Sequence, residues 1–185
     1  MGAIMGAFVG EALGVGPHWY YDLKDLRRTF GGWIDDYTTP EPGRFHHGLK
    51  AGQNAQAGFI LELMLRSLIE RNGYDENDFC QRLDRELFPL LDGQPRSGPG
   101  HYTSESIRHA WHRRVVQNRP WHEIGGAADT TEAMERTLAI AVRHATEPAL
   151  MSQAIANNTA LTQSSETMLS MGVGYGCILA RLVQG

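Results

Sequence analysis

Residues 1–22 read MGAIMGAFVGEALGVGPHWYYD, with glycine at every fourth position as Gly2, Gly6, Gly10 and Gly14. On a helix, positions four apart lie on nearly one face. Each glycine costs about 0.8–1 kcal/mol of helix propensity relative to alanine. A helix carrying four of them needs compensation, and two readings supply it. In one, the smooth stripe packs tightly against a neighbouring helix. In the other, the stripe leads to a pocket at the helix exit, where Glu11, His18 and Asp22 gather. Gly14-Val15-Gly16-Pro17 then stops the helix.

The helical period continues outward from this segment to the C-terminus. A short helix is predicted over Leu23–Phe30, inside an irregular stretch from His18 to Gly52. That stretch holds Gly31, Gly32, Pro40, Pro42, Gly43 and Gly48. Irregular segments of this length in compact domains are often functional loops. From Asn54 to Arg71, residues Ile60, Leu61, Met64, Leu65 and Leu68 share an apolar side, and Asn72-Gly73 ends the helix. Asp75 caps a helix with Phe79, Leu83 and Leu87 inward. Another starts at Thr103 or Ser104. Asp129 with Glu132 reads as a capping-box-like start to a long helix. Thr146 precedes Glu147-Pro148 as the cap of the next. Thr162 to Ser165 cap a last helix that stays apolar to its end. No alternating strand pattern appears. The expected fold class is all-α, a single helical domain over residues 1–185. The apolar final helix predicts that more protein covers it, either a further C-terminal portion or a second copy in a homo-oligomer.

The formal net charge is −4 and the isoelectric point about 6.0. No basic field points to nucleic acid or to an anionic membrane. The N-terminal apolar run is broken by Glu11, is too short to span a bilayer, and lacks a basic leader region. Cys80 and Cys177 are the only cysteines, and neither belongs to a CxxC pair. A reducing, cytoplasmic setting is the expectation.

Two loop-to-helix junctions carry polar residues. Gln53-Asn54-Ala55-Gln56 opens the second long helix, where free amides favour anions or carboxamides, or where Asn54 simply caps. Asp129-Thr130-Thr131 follows Gly125-Gly126, an arrangement that holds phosphate in some proteins and caps a helix in others. His109 and His112 are three apart, with no carboxylate at matching spacing, so no metal ligand is assigned. No GxSxG, Walker A or GxGxxG pattern is present.

Gly10-Glu11-Ala12-Leu13-Gly14 resembles the Gly-Asp-Ala-Leu-Gly motif that closes the first helix of ADP-ribosylglycohydrolases. Gly16-Pro17-His18-Trp19-Tyr20-Tyr21-Asp22 is similar to the branch containing the J-type lens crystallins and their bacterial relatives. Phe45-His46-His47, Lys50-Ala51-Gly52, the loop 97–104 and the helix beginning at Asp129 extend the resemblance. Leu161-Thr162-Gln163 resembles the family's Leu-Thr-His. The match covers most of this chain, but only about the first half to two thirds of a usual member.

The resemblance implies hydrolysis of the glycosidic bond joining ADP-ribose to a protein side chain or small acceptor, with two magnesium ions. A metal-held water attacks the ribose carbon as oxocarbenium character develops there. The sequence departs from the family at the metal. Where members carry Thr-Asp-Asp-Thr, this chain has Gln53-Asn54-Ala55-Gln56, and nothing after Asp129 resembles the second acidic motif. Magnesium is thus implied by the family while its carboxylate ligands are missing.

The resemblance makes Asp22 and Glu11 the expected catalytic bases. His18, Trp19, Gln53, Asn54, Gln56, Asp129 and Thr130 are the expected substrate contacts, with Trp19, Tyr20, Tyr21 and Trp33 available as a stacking wall. The expected ligand is an ADP-ribose-containing small molecule or an ADP-ribosylated protein. Three roles follow: a hydrolase with an altered site, a non-catalytic binding or structural relative of crystallin type, or one piece of a larger assembly.

Overall fold

In a computed structural model that describes residues 2–185, the helical period becomes eight α-helices, with no strand among the described residues. They are α1 (Gly2–Val15), α2 (Leu23–Phe30), α3 (Gln56–Glu70), α4 (Glu76–Arg82), α5 (Glu105–Trp111), α6 (Glu132–Arg143), α7 (Pro148–Ala160) and α8 (Glu166–Gln184). Helix α6 is central: it packs on α3, α7 and α8, while α7 and α8 pack on each other. Met64, Phe79, Leu83, Leu87, Ile140 and Ile155 are fully buried in the core between them. Helix α1 lies across α3 and α6 and seats Ile4, Ala7 and Phe8 on that core.

The helix ends follow local chemistry in several places. Asp22 Oδ1 accepts from the Lys24 amide at 2.8 Å and caps α2. Asp75 Oδ1 accepts from the Asp78 amide at 2.9 Å and caps α4. Asn72, at φ 56°, closes α3 in a Schellman turn, its amide bonding Ile69 and the Gly73 amide bonding Leu68.

Three expectations are corrected. The glycine stripe of α1 is not a helix contact, since a Cβ added at Gly2, Gly6, Gly10 or Gly14 meets nothing within 4 Å. Close small-residue packing occurs instead on α8, where Gly172 and Gly176 sit against Thr159 and Ile155 of α7. The capping-box reading of Asp129 and Glu132 also fails. Thr131 is the residue before α6, and its side chain makes no cap bond. Glu132 reaches across to α5, accepting from the amides of Glu105 at 3.1 Å and Ser106 at 2.9 Å. The α6 start is held by Gln163, whose Oε1 accepts from the Ala133 amide at 2.9 Å. Finally, Glu147 rather than Thr146 precedes α7, with Pro148 in its first turn.

No helix among the described residues is long and apolar enough to cross a membrane. Met171, Tyr175, Ile178 and Leu182 are exposed, three or four residues apart along α8.

Candidate functional site

A cavity of about 390 Å³ opens where α1, α3, α5 and α6 converge. Gly10 and Gly14 form part of its wall, so the stripe on α1 borders open space. Glu11 comes from the same helix, Gln56 and Ile60 from α3, Ile107 from α5, and Glu132, Glu135 and Arg136 from α6. His18, Trp19, His46 and Tyr102 enter from the loops.

The loop residues form a wall of rings. Trp19 adopts φ 63°, a left-handed conformation costly for a bulky side chain. Its surroundings over-determine it. The His18 ring stacks on it at 3.8 Å, and Tyr102 and Phe45 lie 4.5 and 4.7 Å away. Arg44 Nη1 donates to its carbonyl at 3.1 Å.

Behind this wall, two histidines fix each other's tautomers. His46 is buried, and its Nδ1 lies 2.7 Å from the Gly100 carbonyl. A carbonyl only accepts, so Nδ1 carries the hydrogen. Burial lowers the His46 pKa, so the ring is neutral at pH 7 and its Nε2 accepts. His18 Nδ1, 3.0 Å away, is therefore the donor. Loss of bulk water around His18, followed by its neighbour His46, lowers its pKa to about 4 although one edge stays open. Its Nε2 remains a bare acceptor at the cavity.

Three carboxyl groups also line the cavity, and two of them already have structural partners. Glu11 Oε1 accepts from the Ala55 amide at 2.8 Å, and Oε2 accepts from Asn54 Nδ2. The α1 carboxylate thus closes the start of α3, as Glu132 closes the start of α5. Each places negative charge at the positive end of a helix. Glu135 has no such partner, and its side chain is exposed to the cavity. The protein crowded around it, then the like charges of Glu132 and Glu11, push its carboxyl up to about 7. Arg136, 1% exposed, turns its guanidinium away and donates to Asn158 Oδ1, the Asn158 carbonyl and Thr162 Oγ1 at 2.8 to 2.9 Å.

Among the residues expected from sequence, Glu11, His18, Trp19 and Gln56 line the cavity, and Asn54 stands behind Glu11. Gln56 is occupied, donating to Thr103 Oγ1 and accepting from the Ser104 amide. The rest lie outside the lining. Asp22 caps α2 on the surface, so its carboxylate is committed away from the cavity. Gln53 Oε1 accepts from the Lys50 amide. Thr130 accepts from Gln163, and Asp129 is exposed on the preceding loop. The phosphate reading of this junction is corrected too. Gln163 holds the Ala133 amide, the Gly126 amide bonds Thr162, and Gly125 sits against the Ala160 carbonyl. Sequence reading missed His46, Tyr102, Glu132, Glu135 and Arg136. The one available signal was Glu132-x-x-Glu135, two carboxylates three apart on one helical face.

These residues do not fit a pair of magnesium ions. Magnesium requires near-octahedral hard oxygens. Among the described residues, no group of three or more His, Cys, Asp or Glu is placed to hold a metal ion. Glu11 and Glu132 spend their oxygens on protein N–H groups.

Comparison with known proteins places this geometry. A solved chain described as an ADP-ribosylglycohydrolase-related protein complex superimposes with a TM-score of 0.71 at 16% identity. The match covers 100% of this chain and 56% of that one, so this chain spans little more than half of that chain's length. No curated protein matches. The ADP-ribosylglycohydrolase family model matches residues 1–185, and the chain, all-helical with this cavity beneath its first helix, belongs to that family.

Proposed function

We propose that the cavity binds the ribose end of an ADP-ribosyl group, carried by a small molecule or a modified protein, and that binding here does not depend on magnesium. One observation carries this reading: two of the three cavity carboxylates serve as helix caps, leaving a pocket of rings and hydrogen-bond acceptors. Its volume is in the range of small-molecule sites. Ribose hydroxyls are donors that suit His18 Nε2 and the Glu135 carboxyl. The ring wall of His18, Trp19 and Tyr102 suits the flat face of a sugar or base. On this reading the chain acts as a non-catalytic binding relative.

A second reading, hydrolysis without metal, is favoured by one specific group. A carboxyl that titrates near 7 holds or releases a proton at working pH, as a general acid or base must.

A thermal-shift titration with ADP-ribose, with and without magnesium, tests the proposal. A ligand that binds only the folded state raises its melting temperature by mass action. An equal rise in both conditions supports magnesium-independent binding. A rise only with magnesium, or none in either condition, overturns it. Chromatography of an ADP-ribosylated peptide incubated with the protein separates the two readings: release of ADP-ribose in chelator establishes hydrolysis, and an intact peptide leaves binding.

A further inference from the structure

In α8 the large apolar side chains point away from the core. The buried residues of the helix are Met168, Gly172, Gly176 and Ala180, one every fourth position, and the two glycines lie against Thr159 and Ile155 of α7. On the other side Met171, Tyr175, Ile178 and Leu182 are 51, 38, 65 and 73% exposed. A helix that covers a core from outside turns polar residues to solvent, whereas one apolar on both sides packs on both sides. The intervals of four, three and four residues are those of a heptad seam, the pattern by which one helix packs along another. At about 200 Å² for a whole side chain, those fractions leave roughly 450 Å² of apolar surface. That equals the largest patch on a typical monomer and about half of one partner's share of a standard interface.

We propose that this face binds the same face of a second copy of the chain, α8 against α8 in antiparallel orientation. The seam is self-complementary in that orientation. About a two-fold axis between positions 176 and 177, Met171 of each copy meets Leu182 of the other, and Tyr175 meets Ile178. Every large apolar residue of the seam thus finds another. Gly174, beside the seam, has nothing within 4 Å of an added Cβ, which leaves room for the stem of the other copy's exposed Arg181. The antiparallel arrangement also keeps the two Arg181 guanidiniums in different layers and sets the helix dipoles head to tail. The area is that of a weak, concentration-dependent dimer. Helix α8 lines no part of the cavity beneath α1, so this proposal stands or falls independently of the ADP-ribosyl reading.

Sedimentation equilibrium over loading concentrations from about 1 to 500 μM reads the association. The expected mass rises from 20.6 kDa toward twice that value. Ile178→Glu places two like charges near the axis and is expected to weaken the dimer by about hundredfold or more. Ile69→Glu makes the same change at an exposed isoleucine on α3 and is expected to leave association unchanged. Melting curves at the lowest concentration check that both variants fold, and Leu182→Lys is a second disruption of the seam. Cysteine cross-linking in a Cys177→Ser background reads the orientation. Positions 171 and 182 lie about 16 Å apart along one helix, too far for a disulfide within a copy. Met171→Cys combined with Leu182→Cys should therefore link two copies, and neither substitution alone should do so. A mass of 20.6 kDa at every concentration overturns the proposal and leaves the face to a partner of another sequence. A dimer that survives both Ile178→Glu and Leu182→Lys overturns it as well, as does linkage by either single cysteine without linkage by the pair.

Discussion

Gly100→Ala is the substitution for which the structure gives the sharpest expected cost. Gly100 sits at φ 75°, ψ 11°, in the left-handed region. An L side chain there costs about 1–2 kcal/mol. An added Cβ would also lie 2.5 Å from Ala55 Cα and 2.6 Å from the Gln56 nitrogen. These are backbone atoms at the start of α3, not the tip of a movable side chain. They are held in place by Glu11, which accepts from the Ala55 amide. Relief therefore requires moving a loop against a capped helix, and overpacking of that kind costs about 1–3 kcal/mol.

Together the two effects give a destabilisation of about 2–5 kcal/mol for this single methyl group. Urea unfolding followed by circular dichroism measures it, with the slope m checked for constancy. The effect also reaches the site. Gly100 supplies the carbonyl that His46 Nδ1 bonds, and His46 in turn orders His18. Movement of the loop frees that tautomer. A loss below about 1 kcal/mol at unchanged m would show that the approach of the loop to α3 is not as close as described, and would refute the reasoning.

Further predictions concern the other glycines and the cavity carboxyls. Gly6→Ala, exposed and with nothing near its added Cβ, is expected to stabilise the protein by about 0.5–1 kcal/mol, and a loss in the same unfolding assay would restore the tight-contact reading of α1. Glu132→Ala uncaps two amides of α5 and should cost about 1–2 kcal/mol; an unchanged melting curve would mean that solvent replaces the carboxylate without cost. Glu135 has a folded pKa raised from 4.5 to about 7, so its contribution to stability is present below 4.5 and is lost as pH rises through 7. Because the group is exposed and screened, that loss is about 1 kcal/mol. Glu135→Gln should then be more stable than wild type at pH 8 and equal to it at pH 4, with equal curves at both pH values counting against the shift. His18 works in the opposite sense: its folded pKa is lowered from 6.5 to about 4, so stability is present above 6.5 and lost as pH falls toward 4. His18→Gln should flatten the acid side of the stability profile, and a profile identical to wild type would contradict the neutral tautomer.

The local features were legible in the sequence. The end of α1, the extent of α2, the Asp75 cap and the Asn72-Gly73 stop all rest on interactions within a few residues, whereas Asp22, expected as a catalytic base, is the cap of α2. The misreadings came where a local pattern had a distant partner. Glu132 matches a capping box in sequence, yet its carboxylate bonds amides 26 and 27 residues away. Glu11 reads as a helix carboxylate, and its partner Ala55 is 44 residues on. The glycine stripe was legible as a stripe, but what faces it depends on how α1 lies over α3 and α6, which no local period encodes. His46 and Tyr102 reach the cavity from separate loops, and Glu135 titrates near 7 only because of what surrounds it. Those properties belong to the packing.

The missing aspartates and the placement of Glu11 are linked. In this chain the position expected to supply carboxylates at the start of the second long helix supplies Asn54 and Ala55, and both direct N–H groups at Glu11. With acidic residues there, Glu11 would face like charge, and a cation would be needed to hold the groups together. With an amide there, the same closure is achieved by hydrogen bonds alone. Changing Asn54 to Asp therefore does not simply restore a metal site: it removes the donor that Glu11 uses and that also bonds the Phe8 carbonyl at 2.9 Å. At Asn54 and Glu11 the contacts that join α1 to α3 are also contacts of the cavity wall, so at these two residues the chemistry of the pocket and the stability of its wall cannot be altered separately.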